Sequence, residues 1–284
     1  MALRKALMSI PSTSHDQAVI VDRLRAAGCV FAEDEAELLI DSARTPAELA
    51  DMVSRRVEGM PLEHVLGWAE FCGLRIAVGP GVFRPRPRTE FLVAEAVALA
   101  RAPAEPGQTN PSDARTVVVD LCCGSGALGA AVAAALPHVE LHASDLDPQA
   151  VRCARRNVET AGGQVYEGDL YEPLPATLLG RIDVLLANAP YVPTEDIELM
   201  PPEARLHEPR MSLDGGTDGL DILRRVIAAA PQWLSPRGHL LVESSKRQAP
   251  QLVEAIARCG LAPRVAMSEE LNATVVIGAR QITP

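Results

Sequence analysis

Residues 116–129 read Thr116-Val117-Val118-Val119-Asp120-Leu121-Cys122-Cys123-Gly124-Ser125-Gly126-Ala127-Leu128-Gly129. The stretch opens on a continuous apolar run, breaks into small residues, and re-emerges as the alanine-rich run Ala130 to Leu136. An apolar run of this kind predicts a parallel strand buried on both faces. The alanine-rich run predicts a helix packed behind it. Gly124 and Gly126 allow a ligand to approach the backbone closely, and a helix start offers free N–H groups to it.

Three further strand ends carry matching chemistry. Val139 to Asp145 predicts a second strand that closes on a carboxylate about 20 residues on, where a nucleoside-binding βαβ unit holds its ribose hydroxyls. Gln164 to Asp169 predicts a third, again closing on an acid, here suited to an adenine amino group. The run Ile182-Asp183-Val184-Leu185-Leu186-Ala187 predicts a fourth, and it opens into Asn188-Ala189-Pro190-Tyr191. The Asn188 side-chain oxygen and the residue 189 carbonyl can each accept one hydrogen of an NH2 group. Tyr191 offers a flat apolar face to the planar group that bears it.

The segment Asp120-Leu121-Cys122-Cys123-Gly124-Ser125-Gly126 resembles motif I, D-x-G-x-G-x-G, of class I methyltransferases that use S-adenosyl-L-methionine, with Cys122 where the first glycine usually stands. An L residue there does not readily take a positive φ. From about Glu35 to Arg280 the chain is similar to the protein-(glutamine-N5) methyltransferase family that modifies peptide-chain release factors. Arg55-Arg56-x-x-Gly59-x-Pro61-x-x-His64-x-x-Gly67-x-x-Glu70-Phe71 is similar to the end of that family's helical domain. Arg84-Pro85-Arg86-Pro87-Arg88-Thr89-Glu90 resembles its P-R-P-x-T-E segment, with Arg88 where Asp is frequent. Asn188 to Tyr191 corresponds to N-P-P-Y with Ala189 replacing the first proline. Glu208-Pro209 and Gly215-Gly216-x-Asp218-Gly219 match later segments.

The resemblance implies an α/β fold: a class I, Rossmann-like methyltransferase domain with a small N-terminal helical domain. It implies a divergent paralogue that transfers a methyl group to a protein glutamine, with a release factor as the expected substrate. It places Asn188, Ala189, Pro190 and Tyr191 at the transfer site. It places Asp120, Cys122, Cys123, Gly124, Ser125, Gly126, Asp145, Asp169, Leu170 and Asn188 around the cofactor. Cys122-Cys123 reads as small residues lining that loop rather than as a redox or metal site, and no metal is implied.

At 284 residues the chain exceeds the usual single-domain size. We expect a helical, substrate-docking region over 1–72, a hairpin linker around Gly79-Pro80-Gly81 over 73–88, and the methyltransferase domain over 89–284. Thr45 before Pro46 reads as a helix start. The last two strands, near 264–269 and 274–279, read as a hairpin with one antiparallel edge strand. The six cysteines lack C-x-x-C spacing, which predicts reduced thiols and a cytoplasmic protein. No apolar run is long enough for a membrane span, and no signal peptide is legible.

Motifs like N-P-P-Y also occur in enzymes that methylate adenine in DNA or RNA, on a flipped base. Such enzymes need a basic track for phosphates. Here the net charge is −10, and residues 1–70 hold seven Lys and Arg against twelve Asp and Glu. The charge balance therefore favours a protein substrate over nucleic acid. Arg84, Arg86 and Arg88 are the basic exception, open to reading as a solvated loop or as a substrate contact. A low-activity cofactor-binding paralogue is the third alternative.

Overall fold

The computed structural model describes residues 14–102 and 115–280. Four helices come first: α1 (Ser14–Ala26), α2 (Ala32–Ser42), α3 (Pro46–Val57) and α4 (Leu62–Leu66). They close on their own core, which includes Leu24, Leu39, Met52 and Val65. The Thr45 hydroxyl caps α3 by accepting from the Glu48 N–H at 3.1 Å, as its place before Pro46 predicts.

A short antiparallel hairpin follows, β1 (Trp68–Phe71) and β2 (Leu74–Ala77). It lies earlier than expected. Its turn is Cys72-Gly73, where both residues take positive φ, +50° and +72°. Two left-handed residues match the twist of the flanking strands, and the expected turn at Gly79-Pro80-Gly81 is instead a loop. A single 3-10 turn, Pro87–Thr89, leads into α5 (Glu90–Arg101).

The α-helices and strands that follow are β3 (Thr116–Leu121), α6 (Ala127–Ala135), β4 (Val139–Asp145), α7 (Pro148–Val158), β5 (Gln164–Glu167), β6 (Ile182–Ala187), α8 (Pro202–His207), α9 (Asp221–Trp233), β7 (Leu234–Ser244), α10 (Ala249–Arg258), β8 (Leu261–Ser268) and β9 (Ala273–Arg280). They build a seven-stranded sheet in the order β5-β4-β3-β6-β7-β9-β8. The pairs β3–β4, β3–β6, β4–β5 and β6–β7 are parallel. This is the expected α/β, Rossmann-like architecture.

One expectation about the sheet is corrected. The antiparallel strand is β9, which inserts between β7 and β8 and pairs antiparallel with both. The edge strand β8 therefore runs in the common direction. A tight hairpin can fill the interior position first and leave its other arm at the edge, a choice that strand patterning does not register.

Strand order reverses at β3, whose neighbours are β4 on one side and β6 on the other. In open α/β sheets ligands bind outside the carboxyl ends of the strands at such a switch point.

Candidate active site

A cavity of about 280 Å³ opens at that point. The loop after β3 forms its floor. Cys122, Cys123, Gly124 and Ser125 line it, as do Asp145 at the end of β4, Asp169 and Leu170 after β5, and Asn188 and Pro190 after β6. Four expected residues do not line it: Asp120, Gly126, Ala189 and Tyr191.

The β3 loop is held by its own backbone. The Cys123 N–H donates to the Ser144 carbonyl at 3.1 Å, and the Gly126 N–H to the Cys123 carbonyl at 2.7 Å. The Gly124 N–H donates to Asp145 Oδ2 at 2.8 Å, while Asp145 Oδ1 accepts from the Asp147 N–H at 2.9 Å. Cys122 adopts φ +53°, the left-handed region that an L residue was not expected to enter. The tight turn at the end of β3 imposes it, and a side chain there costs about 1–2 kcal/mol relative to glycine.

The two glycines divide their work. A Cβ at Gly124 would meet nothing closer than Phe83 Cβ, at 4.0 Å, so the space above it stays open to a ligand. A Cβ at Gly126 would lie 2.6 Å from Val158 Cγ2, so this glycine permits helix packing rather than ligand approach. Asp120 is fully buried beneath the loop, where Oδ2 accepts from the Gly129 N–H at 2.9 Å. Its Oδ1 has no partner, and burial pushes the carboxyl up to about 7. Burial, followed by the charges of Asp145 and Asp120, raises the Cys122 thiol far above its ordinary value. The thiol is therefore protonated and inert at neutral pH.

The β6 loop is held by remote side chains. Asn188 Nδ2 lies 3.4 Å from Thr89 Oγ1, at the start of α5, so its NH2 is engaged there and its carbonyl oxygen is left for the cavity. The Ala189 side chain is buried in the apolar cluster below, between Asn188 and Pro190, which line the cavity. The Tyr191 hydroxyl accepts from Arg88 Nη2 at 2.8 Å and donates to Glu243 Oε1 at 3.1 Å. Tyr191 is thus a brace behind the site rather than a face of it. Its carbonyl accepts from Gln248 Nε2 at 2.9 Å, and the same amide donates to the Asp218 carbonyl at 3.0 Å. A Cβ at Gly215 would sit 2.7 Å from the Pro190 carbonyl oxygen, which explains the glycine in the segment that backs this loop.

All three arginines of the basic cluster are paired, Arg84 buried, Arg86 half-buried and Arg88 exposed. Arg84 is buried, with Nη1 2.5 Å from Glu63 of α4 and Nε 3.2 Å from the buried Glu208. Arg86 also pairs with Glu208, at 2.5 Å, and Arg88 pairs with Glu243 at 3.2 Å. The cluster ties the helical region and the sheet to the segment around α8. His64, buried, donates from Nε2 to the Val82 carbonyl at 2.9 Å, a packing role.

Several wall residues were not legible in the sequence. Phe83, Thr89, Leu146, Ser212, Ile222 and Arg225 all line the cavity. Arg225 Nη2 pairs with Asp169 Oδ2 at 2.6 Å, leaving the other oxygen for a ligand donor. These residues come from segments far apart in the chain, and only Thr89 lies in a motif, the P-R-P-x-T-E-like segment, which did not point to the cavity.

Residues 108–216 match the family described as Methyltransferase small domain. The chain is 39% identical over 245 residues to a release factor glutamine methyltransferase of Geobacter sulfurreducens, covering 84% of this chain and 81% of that one. It belongs to the release factor glutamine methyltransferase family. Within reach of the same sequence pattern lies a 4-amino-L-phenylalanine/4-methylamino-L-phenylalanine methyltransferase of Streptomyces pristinaespiralis, 32% identical over 238 residues and covering 83% of this chain and 79% of that one. Among solved structures, a Thermus thermophilus 16S rRNA N2 G1207 methyltransferase in complex with AdoMet and guanosine shares the fold. It superposes with TM-score 0.50 at 20% identity, over 75% of this chain and 50% of the other.

The methyl donor is S-adenosyl-L-methionine. The cavity fits it: open space above Gly124, a carboxylate at Asp145 in reach of the floor, a second at Asp169, and apolar walls from Phe83, Leu146, Leu170 and Ile222. Among the described residues, no group of three or more His, Cys, Asp or Glu could hold a metal ion, and no helix is long and apolar enough to cross a membrane.

Proposed function

We propose that the chain methylates the side-chain amide nitrogen of a glutamine in a peptide-chain release factor. The observation that carries this reading is the orientation of Asn188. With its NH2 turned to Thr89, its carbonyl oxygen is left to accept one hydrogen of a substrate amide. The reading assigns the other to the Ala189 backbone carbonyl, carried between the cavity-lining Asn188 and Pro190 while the Ala189 side chain packs into the cluster below. Engaging both hydrogens weakens conjugation of the nitrogen lone pair with its own carbonyl and fixes the direction in which it points. When bound, the cofactor supplies a methyl group activated by its sulfonium. Asp145 holds the ribose hydroxyls, and Asp169, steadied by Arg225, accepts from the adenine amino group. The walls exclude water from the nitrogen, so the acceleration comes from positioning and desolvation. Helices within residues 1–72 dock the protein substrate beside residues 73–88, and residues 89–284 carry the chemistry. The reading places the enzyme in the cytoplasm, where release factors work.

The test is to supply labelled cofactor to the protein with a purified release factor and, separately, with cell extract. Mass spectrometry then locates the label. A methylated glutamine in the release factor supports the proposal. Label on nucleic acid, or on a free aromatic amine, overturns it.

A further inference from the structure

The Pro87–Thr89 turn touches the β6 loop at both of its ends. Thr89 engages Asn188, the first residue of the motif, and Arg88 engages Tyr191, the last. Arg88 also reaches Glu243 through Nε at 3.2 Å, and Tyr191 donates to the same Glu243 oxygen. Ala187 of β6 pairs with Val242 of β7, so Asn188 and Glu243 are the next residues on neighbouring strands. One guanidinium thereby ties the start of α5, the motif and the end of β7 into a single triangle. Between its anchored ends the motif contains Ala189, whose φ is not fixed by a ring as that of Pro190 is.

We infer that Arg88 is a positioning residue for methyl transfer. It touches neither the cavity nor the substrate amide. By holding the Tyr191 hydroxyl against Glu243 it sets the path of residues 188–191, and so the placement of the two carbonyl groups that receive the amide hydrogens. The inference rests on the role proposed for Asn188 and Ala189. A guanidinium suits the task because its planar fork serves two acceptors at once, which an ammonium group cannot do in the same geometry.

Removing Arg88 leaves Glu243, which is 2% exposed and whose Oε2 already lacks a partner, without a counter-charge. Loss of folding must therefore be separated from loss of positioning. The variants are Arg88→Met, Tyr191→Phe, their combination, and Arg88→Met with Glu243→Gln, which removes the stranded charge. Each is measured for thermal stability, cofactor Kd, and kcat and KM on the acceptor that the wild type labels. Small misplacements of reacting groups cost up to about a hundredfold in rate. We expect kcat to fall by roughly ten- to a hundredfold in each single variant, with cofactor Kd and KM within about threefold. The Arg88→Met/Tyr191→Phe pair should be no slower than the slower single variant, since both break one triangle.

Arg88→Met/Glu243→Gln should regain stability and remain slow. Recovery of the wild-type rate in that protein would show that Arg88 only neutralises Glu243, and would overturn the inference. Additive losses, or an unchanged kcat in Arg88→Met, would overturn it as well. If the wild type labels an acceptor other than glutamine, the proposed function fails, while the triangle is still judged on that acceptor.

Discussion

The loops after β3 and β6 meet over one cavity and are built by opposite means. Residues 122–126 are fixed locally, by positive φ at Cys122, Gly124 and Gly126 and by backbone N–H groups that reach Ser144, Asp145 and Cys123. Residues 188–191 are fixed from a distance, by Thr89, Arg88, Glu243 and Gln248. A loop that holds its own shape suits a cofactor common to many enzymes. A loop held by neighbours can be retuned from outside without changing the residues that touch the substrate.

The sharpest break in this comparison is Asn188→Ala. It removes an acceptor that acts only on the substrate, so kcat/KM should fall by about a hundred- to a thousandfold, the scale of losing one preorganised hydrogen-bonding group. Cofactor Kd should stay within about threefold if the two loops are as separate as they look. Single-turnover transfer and calorimetric titration check both halves, and a large change in Kd would join the loops energetically.

Asp145→Ala should do the converse. The loss of charge-assisted bonds worth about 1.5–3 kcal/mol each weakens cofactor affinity at least tenfold. At saturating cofactor, kcat should change far less. Unaltered affinity would remove Asp145 from the site.

Asp120 tests the strain beneath the β3 loop. Its carboxyl is pushed up to about 7 from an ordinary 3.8 by burial. The folded chain therefore keeps a proton that the unfolded chain gives up. This contribution worsens stability progressively as pH rises from about 4 to about 7 and is constant above that. Asp120→Asn removes it, so the melting temperature of the variant relative to the wild type should climb between pH 5 and pH 8. A difference that does not vary with pH would refute the assignment.

The smallest effect is expected at Cys122→Gly. Relief of the left-handed conformation, about 1–2 kcal/mol, is offset by the greater freedom of glycine in the unfolded chain, about 0.5–1 kcal/mol. The net gain, between about zero and about 1.5 kcal/mol, should appear as a melting temperature higher by up to roughly 5 °C. A lower melting temperature would mean that the thiol's packing outweighs the strain.

The site was unevenly legible. Asp145, Asn188 and the glycine loop stood out because each sits where an apolar run stops, and a run of buried residues is a local, one-dimensional signal. Thr89, Arg225 and Gln248 gave no such signal, since a threonine, an arginine and a glutamine in polar segments are ordinary until another element arrives beside them. Gly126 was legible as a glycine but not in its purpose, because its clash partner Val158 lies on a different helix.

The sequence by itself determined the alternating strands and helices, the switch-point fold, the capped start of α3 and the position of the Asn188 motif. Buried-strand periodicity, turn chemistry and capping act over a few residues, so they are written contiguously. Only the tertiary structure decided that β9 lies inside the sheet, that Tyr191 faces Arg88 and Glu243 instead of the cavity, and that Arg84 and Arg86 are consumed by Glu63 and Glu208. Those choices depend on pairings across 21 to 124 residues of chain, and an ion pair or strand neighbour at such separation leaves no periodicity in either partner's own segment.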